Sequence, residues 1–194
     1  MTKKVSIKDL QEKVKKLIQT KSYINIDLGG GSAQTNKSFI NVDIEPGPNV
    51  DIVHDLEDIP WPFPSGCANL IVASHIVEHI NPHKGGFIKW MDEAWRVLKP
   101  GGQLMISTPY AGSMGYWQDP THINGCNEVT WYYFDPLQVI DKDSLYKFYE
   151  PAPWKVENLG WNADSNLEVL LSKRLDDKSY HVSRKVKYEH KEEK

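Results

Sequence analysis

Cysteine is almost missing from this chain: Cys67 and Cys126 are the only two in 194 residues. Two thiols without metal-motif spacing exclude a disulfide framework and a cysteine-built zinc module. A reducing, intracellular setting is the default for such a chain. Long apolar runs are missing too. The most apolar stretch, Leu70-Ile71-Val72-Ala73, is far too short to span a bilayer. A dominant charge sign is also lacking. The net charge of −3 gives no electrostatic argument for an anionic membrane or for direct nucleic-acid binding. The opening MTKKVSIKDLQEKVKK is charged and periodic, so it does not read as a signal peptide, and a cytoplasmic location is expected. Internal repeats are absent.

What is present reads as one three-layer α/β domain over residues 1–174, followed by a charged tail at 175–194. Ser6 can cap a helix that occupies residues 1–21, with Ile7, Leu10, Val14, Leu17 and Ile18 on one stripe. Strands are expected at Tyr23–Leu28, Phe39–Ile44 and Val50–His54. The links between them are too short for full crossover helices. Asn69–Ser74 is nearly all apolar, as befits a strand buried on both faces. Asn81-Pro82 reads as the N-cap and first position of a helix that runs to Leu98 and stops at Lys99-Pro100-Gly101-Gly102. Gln103–Thr108 is a fifth strand, and Trp154–Leu159 with Leu167–Lys173 forms an antiparallel pair. Residues 110–150 form an aromatic, irregular segment, with short helices expected near Glu128–Phe134 and Lys142–Tyr149.

The most informative stretch is INIDLGGGSAQTNKSFINVDI, residues 24–44. It reads as strand, glycine loop, strand. Glycines let a ligand approach the backbone where a Cβ would collide. An acidic residue at the tip of the next strand, Asp43, can accept both hydroxyls of a ribose. A nicotinamide fingerprint fits poorly, because the sixth loop position is Gln34 rather than glycine and Asp43 follows too soon.

Taken in order, Asp27-Leu-Gly29-Gly-Gly31, Asp43, Asp55-Leu56, Ile59-Pro60-Trp61-Pro62-Phe63, Asn69 to His79, and Glu93-Ala-Trp-Arg96 to Gly102 resemble a class I S-adenosylmethionine-dependent methyltransferase. The similarity is greatest to small proteins with a methyltransferase type 11-like domain. It implies a Rossmann-like, seven-stranded sheet, mostly parallel with a C-terminal antiparallel hairpin. The early crossover helices would be shortened, leaving a thin wall for the N-terminal helix or a second copy of the chain to cover. It also implies S-adenosylmethionine as cofactor. Asp27, Gly29 and Gly31 would pack against its methionine part, and Asp43 with Ile44 would hold the ribose. Asp55 and the Leu56 backbone would hold the adenine, and Ser74 and His75 would lie beside the sulfonium.

The substrate side is expected beyond the fifth strand. There Asp119-Pro120-Thr121-His122 supplies an imidazole that can take a proton from a hydroxyl acceptor, with Asp119 to orient it. His122, Asp119 and His75 are thus the catalytic candidates, and a turn-capping role for Asp119 and Thr121 stays open beside that reading. The aromatics Tyr116-Trp117 and Trp131 to Phe134 are read either as a lid with a stacking wall or as local core. The acceptor is expected to be a small molecule or saccharide, methylated on oxygen or nitrogen. Direct nucleic-acid binding and membrane association are not expected. Two other readings stand beside it. One is a non-catalytic module that keeps the fold. The other is a metal-dependent hydrolase, because His75-Ile-Val-Glu78-His79 matches an inverted zinc-protease pattern. That pattern needs a long helix and a third ligand, so no metal is expected.

Overall fold

The structure is a computed structural model that describes residues 6–19, 23–137 and 149–174. Seven strands make one sheet: β1 Ile24–Leu28, β2 Phe39–Asp43, β3 Ile52–Val53, β4 Ala68–Ser74, β5 Leu98–Pro109, β6 Trp154–Trp161 and β7 Asn166–Lys173. Their spatial order is β3-β2-β1-β4-β5-β7-β6. Strands β1 to β5 pair in parallel, and β7 inserts antiparallel between β5 and β6. The strand order reverses between β1 and β4. Such a switch opens a crevice at the carboxyl ends of the strands. In β1 the alternation is lost, and Ile24, Ile26, Asp27 and Leu28 are all buried. A strand covered on both faces has no solvent side to keep polar.

No helix lies between β1 and β2 or between β2 and β3, as the short links require. The N-terminal helix α1 (Ile7–Ile18) partly fills the gap. Ser6 accepts from the Asp9 amide as its cap. Leu10 and Val14 enter the main core, and Lys13 Nζ donates to the Asp51 carbonyl beside β3.

The helix after β4 begins later than the Asn81-Pro82 reading placed it. Helix α2 spans Gly86–Val97. Before it lie two three-residue 3-10 turns, Val77–His79 and His83–Gly85. The reason is local. Lys84 and Gly85 both take positive φ, which a continuous right-handed helix cannot contain. A Cβ at Gly86 would lie 2.1 Å from the Asn81 carbonyl oxygen, so the chain can turn this tightly only at glycine. The strand after α2 begins earlier than expected, because β5 starts at Leu98 and carries Lys99 to Gly102 within it.

The proline-rich connector 55–64 is clamped to α2. Glu93 Oε1 accepts from the Trp61 amide at 2.6 Å. Arg96 grips both Glu93 oxygens, at 2.8 and 2.6 Å, and donates to the Phe63 carbonyl at 2.9 Å. A forked, charge-assisted pair such as this is strong and directional.

In the 110–137 segment, α3 (Met114–Trp117) and α4 (Glu128–Tyr132) are short. Asn127 and Thr130 close a capping box on α4. Most of the aromatics here are core. Trp131 and Phe134 are buried, with ring centroids 6.2 and 5.7 Å from Phe87. Trp117 alone of the singled-out tryptophans is open, at 73% exposed. Of the two readings of Trp131 and Phe134, local core is therefore the one that holds. The helix expected near Lys142–Tyr149 lies almost wholly outside the described residues, as does the 175–194 tail.

Candidate active site

A cleft of about 350 Å³ opens at the carboxyl ends of β1, β2 and β3. Five expected cofactor residues line it: Gly29, Asp43, Ile44, Asp55 and Leu56. The loop after β1 is held from below. Gly29 N donates to the Val42 carbonyl at 2.7 Å, and Gly31 N donates to Asp43 Oδ2 at 3.0 Å. Asp43 Oδ1 accepts from the Glu45 amide at 2.9 Å. Each oxygen of an ionised carboxylate has room for a second donor, so this anchored group can still receive hydroxyls. Gly29 has φ +73°, and a Cβ there would stand 1.9 Å from Ile76 Cδ1. Glycine is required on both counts.

Asp27 and Gly31 do not line the cleft. Asp27 is buried beneath the loop and accepts from Gln34 Nε2. Burial raises its carboxyl above the usual carboxylate range, and the Gln34 bond partly offsets the rise. Its role here is to hold the loop. Ser74 is an exposed residue at the end of β4 and is also outside the lining.

Sequence reasoning missed the apolar wall. Ile76, Ile80 and Ile123 face the cleft together with Ile44 and Leu56. Ile123 reaches it because the 119–124 loop is tied down. The Ile123 and Asn124 amides both donate to the Glu78 carbonyl, at 2.9 and 3.0 Å. Ile123 lies 43 positions beyond Ile80 (123 − 80), so no periodic signal joins it to the other two.

Three acidic residues, Asp43, Asp55 and Glu57, line the cleft, and no Lys or Arg is among the described lining residues. Such a lining repels phosphate and favours a cationic ligand. A cationic nucleoside with ribose hydroxyls and a flat ring fits this set of acceptors. A pyrophosphate-bearing dinucleotide does not.

A second pocket, of about 470 Å³, adjoins the first. All three catalytic candidates line it, namely His75, Asp119 and His122, together with Glu78, His79, Gln118, Asp164 and Asn166. Asp164 and Asn166 come from the β6–β7 hairpin, which pointed to no chemistry in the sequence. His79 borders both pockets. His75 sits here rather than in the cofactor cleft. It has φ +56°, uncommon for a residue with a Cβ and a feature that gathers at functional sites.

Asp119 does not orient His122 in the way expected. The His122 Nδ1 faces the Tyr116 carbonyl at 2.7 Å. Asp119 instead accepts from the Thr121 hydroxyl at 2.7 Å and the Thr121 amide at 2.8 Å. Its oxygen is 3.8 Å from His122 Nε2, beyond hydrogen-bond range. The Thr121 bonds hold the Asp119 carboxyl below its usual range. The inverted-protease helix is absent, since residues 77–79 form a 3-10 turn and His75 Nδ1 lies 3.1 Å from Glu78 Oε1.

The sequence profile of a family described as a methyltransferase domain matches residues 10–106, half of the chain. No curated protein matches the sequence. Among solved structures, an S-adenosylmethionine-dependent methyltransferase from Archaeoglobus fulgidus aligns with TM-score 0.55 at 13% identity, over 87% of this chain and 95% of that one. Another from Mesorhizobium loti aligns with TM-score 0.52 at 11% identity, over 87% and 100%. A cyclase, SpnF, aligns with TM-score 0.50 at 12% identity, over 86% and 80%. At these identities the likeness is one of fold, and a fold can carry more than one chemistry. The family match is independent of that likeness and spans the glycine loop, Asp43, Asp55 and the Glu93–Arg96 clamp. The chain belongs to the methyltransferase domain family, and its cofactor is S-adenosylmethionine.

Proposed function

We propose that this chain transfers a methyl group to an oxygen or nitrogen of a small-molecule or saccharide acceptor. The observation that carries the reading is the meeting of two pockets at His79: an acidic, apolar-walled cleft and a polar pocket rich in imidazole. S-adenosylmethionine, when bound, supplies an electrophilic methyl carbon on a sulfonium. Asp43 accepts from the ribose hydroxyls, the Asp55–Leu56 turn receives the adenine, and Gly29 lets the ligand lie against the backbone. Ile76, Ile80 and Ile123 exclude water beside it.

The second pocket receives the acceptor. Its described lining holds no Lys or Arg, and it offers Gln118, Asn166, Asp119 and Asp164 as hydrogen-bonding groups. That suits an uncharged, hydroxyl-rich molecule and disfavours a phosphate-bearing one. Holding the two reactants in register supplies about 7–11 kcal/mol of barrier reduction. The acceptor's proton leaves toward an imidazole, worth about 10²–10⁴-fold. The cysteines take no part as nucleophiles. Burial pushes the Cys67 thiol up to about 11 and the Cys126 thiol up to about 12, so both stay protonated near neutrality.

Calorimetric titration with S-adenosylmethionine and its demethylated product, with NAD as control, tests the reading. Binding of the first two and none of NAD is expected. Asp43→Ala removes a charged acceptor of two hydroxyl bonds, each worth about 1.5–3 kcal/mol. Affinity is expected to fall on the order of 10²–10⁴-fold. Unchanged affinity in Asp43→Ala would overturn this cofactor map. Cofactor binding without turnover on any hydroxyl- or amine-bearing acceptor would favour the non-catalytic module.

A further inference from the structure

We infer that Glu78, His79 and His122 form a binding site for a divalent cation in the acceptor pocket. One ligand-competent atom from each lies within 4.8 Å of the others. Small side-chain rotations from that spacing reach the roughly 2.0–2.2 Å that nitrogen and oxygen ligands take around one first-row ion. The trio is assembled by the fold. Glu78 and His79 lie on the first 3-10 turn, and the loop carrying His122 is fastened to that turn by the Ile123 and Asn124 amides.

The hydrogen bonds assign the imidazole protons. A carbonyl can only accept, so His122 Nδ1 carries the hydrogen that it gives to Tyr116. The Thr121 hydroxyl donates to Asp119, so its oxygen is left to accept from His79 Nδ1 at 3.2 Å. In the neutral imidazole each ring therefore keeps its lone pair on Nε2. Metal-bound histidines are characteristically held this way, with the other nitrogen donating to a carbonyl or to a carboxylate-linked group.

Glu78 supplies the second, independent observation. Its side chain is fully buried. Among the described residues its carboxylate meets the Thr108 hydroxyl at 3.1 Å and the His75 imidazole at 3.1 Å, with no Lys or Arg ion pair. A buried carboxylate without a permanent countercharge is costly. A cation held with His79 and His122 supplies that charge. Two imidazoles and one carboxylate suit Zn²⁺ or Mn²⁺ and leave coordination positions open. All three residues line the polar pocket.

His75 is left out of the ligand set. Its Nδ1 faces Glu78, and its Nε2 is 3.4 Å from the Asn166 amide nitrogen. The trio is thus not the pair of histidines that the inverted-protease pattern would use, and it runs against the metal-free reading of the sequence. Only the ion's role in the reaction rests on the methyltransferase reading: held by Glu78, His79 and His122, it would make an acceptor hydroxyl more acidic. With an ion held there, the acceptor's O–H bond would break with its electron pair kept on the oxygen, and His75 Nε2, which lines the same pocket, would be placed to receive the proton. His122 then acts as a ligand rather than as the base.

The test is calorimetric titration of chelator-stripped, full-length protein with zinc chloride or manganese chloride. S-adenosylmethionine is then titrated into the same samples, with and without EDTA. Saturable binding of one of the two ions is expected. Glu78→Gln, His79→Ala and His122→Ala are each expected to weaken it by at least about 10–100-fold, the loss that even outer-shell changes produce. His83→Ala, outside the cluster, is expected to leave it unchanged. His79 is exposed, so His79→Ala tests the site even if Glu78→Gln fails to fold. Cobalt-loaded protein should show visible absorption that His122→Ala abolishes. No saturable binding of either ion, or equal binding by all variants, overturns the site. Cofactor binding without ion binding removes the site and leaves the methyltransferase reading standing. Ion binding without cofactor binding does the reverse.

Discussion

Asp27 was the first acidic residue to stand out in the glycine loop, and its position gives it a pH signature. Burial raises its carboxyl, so the folded protein holds that proton more tightly than the unfolded chain does. Its contribution to stability is therefore fully present below the unfolded value and is lost as pH rises through the raised folded one. Asp27→Asn cannot ionise and keeps an oxygen for Gln34. The variant is expected to gain stability over wild type as pH rises, and melting temperatures at roughly pH 3 and 7 would check this. A difference that stays flat between them would remove burial as the cause. Gly29 shows what the chain alone could say. That a Cβ was unwelcome was legible, but that the obstacle is Ile76, 47 positions away, was not.

Among the elements, the Glu93–Arg96 clamp explains why a helix far from the cleft matters to it. The connector that Arg96 and Glu93 grip begins at the Asp55–Leu56 turn. Glu93 is buried. Removing it leaves the Trp61 amide unpaired and takes the carboxylate from Arg96, which keeps the Ser65 hydroxyl and the Phe63 carbonyl. The Arg96 side chain is 30% exposed, so the loss is discounted from that of a fully buried pair to about 2–3 kcal/mol, and Glu93→Ala is expected to lower the urea midpoint by that equivalent. A loss below about 1 kcal/mol would place the pair with weak surface bridges. The resemblance drew attention to these residues, while their purpose became visible only from the hydrogen bonds. The delayed start of α2 has a similar lesson. Asn81-Pro82 is a sound helix opening by local preference, yet the Lys84–Gly85 turn overrides it and leaves Asn81 lining the cleft.

Taken together, the sheet, the cleft and the adjoining pocket behave as one folding unit if ligand binding stabilises the protein globally. At 100 times its dissociation constant, S-adenosylmethionine would add about 2.7 kcal/mol. For a chain of this size that corresponds to a rise in melting temperature of about 5–11 °C. A thermal shift assay over a concentration series checks this, and a rise with NAD of equal size would argue against a specific cleft. No helix among the described residues is long and apolar enough to cross a membrane.

The chain alone specified the order of the strands along the sequence, the short early links and the closing hairpin, and it singled out Gly29, Asp43, Asp55 and Leu56, which line the cleft. Those features depend on local preference and on near neighbours along the backbone, and both are written in order in the sequence. The apolar wall that Ile123 completes beside Ile76 and Ile80, and the gathering of Glu78, His79 and His122, could not be read that way. Each joins segments that meet only after the sheet has formed. Asp119 makes the difference plain. Its nearness to His122 in sequence suggested a partnership, but the turn it caps directs its oxygens to Thr121 and gives His122 to the Tyr116 carbonyl. A hydrogen bond follows distance and angle in space, and sequence spacing constrains those only within a single turn.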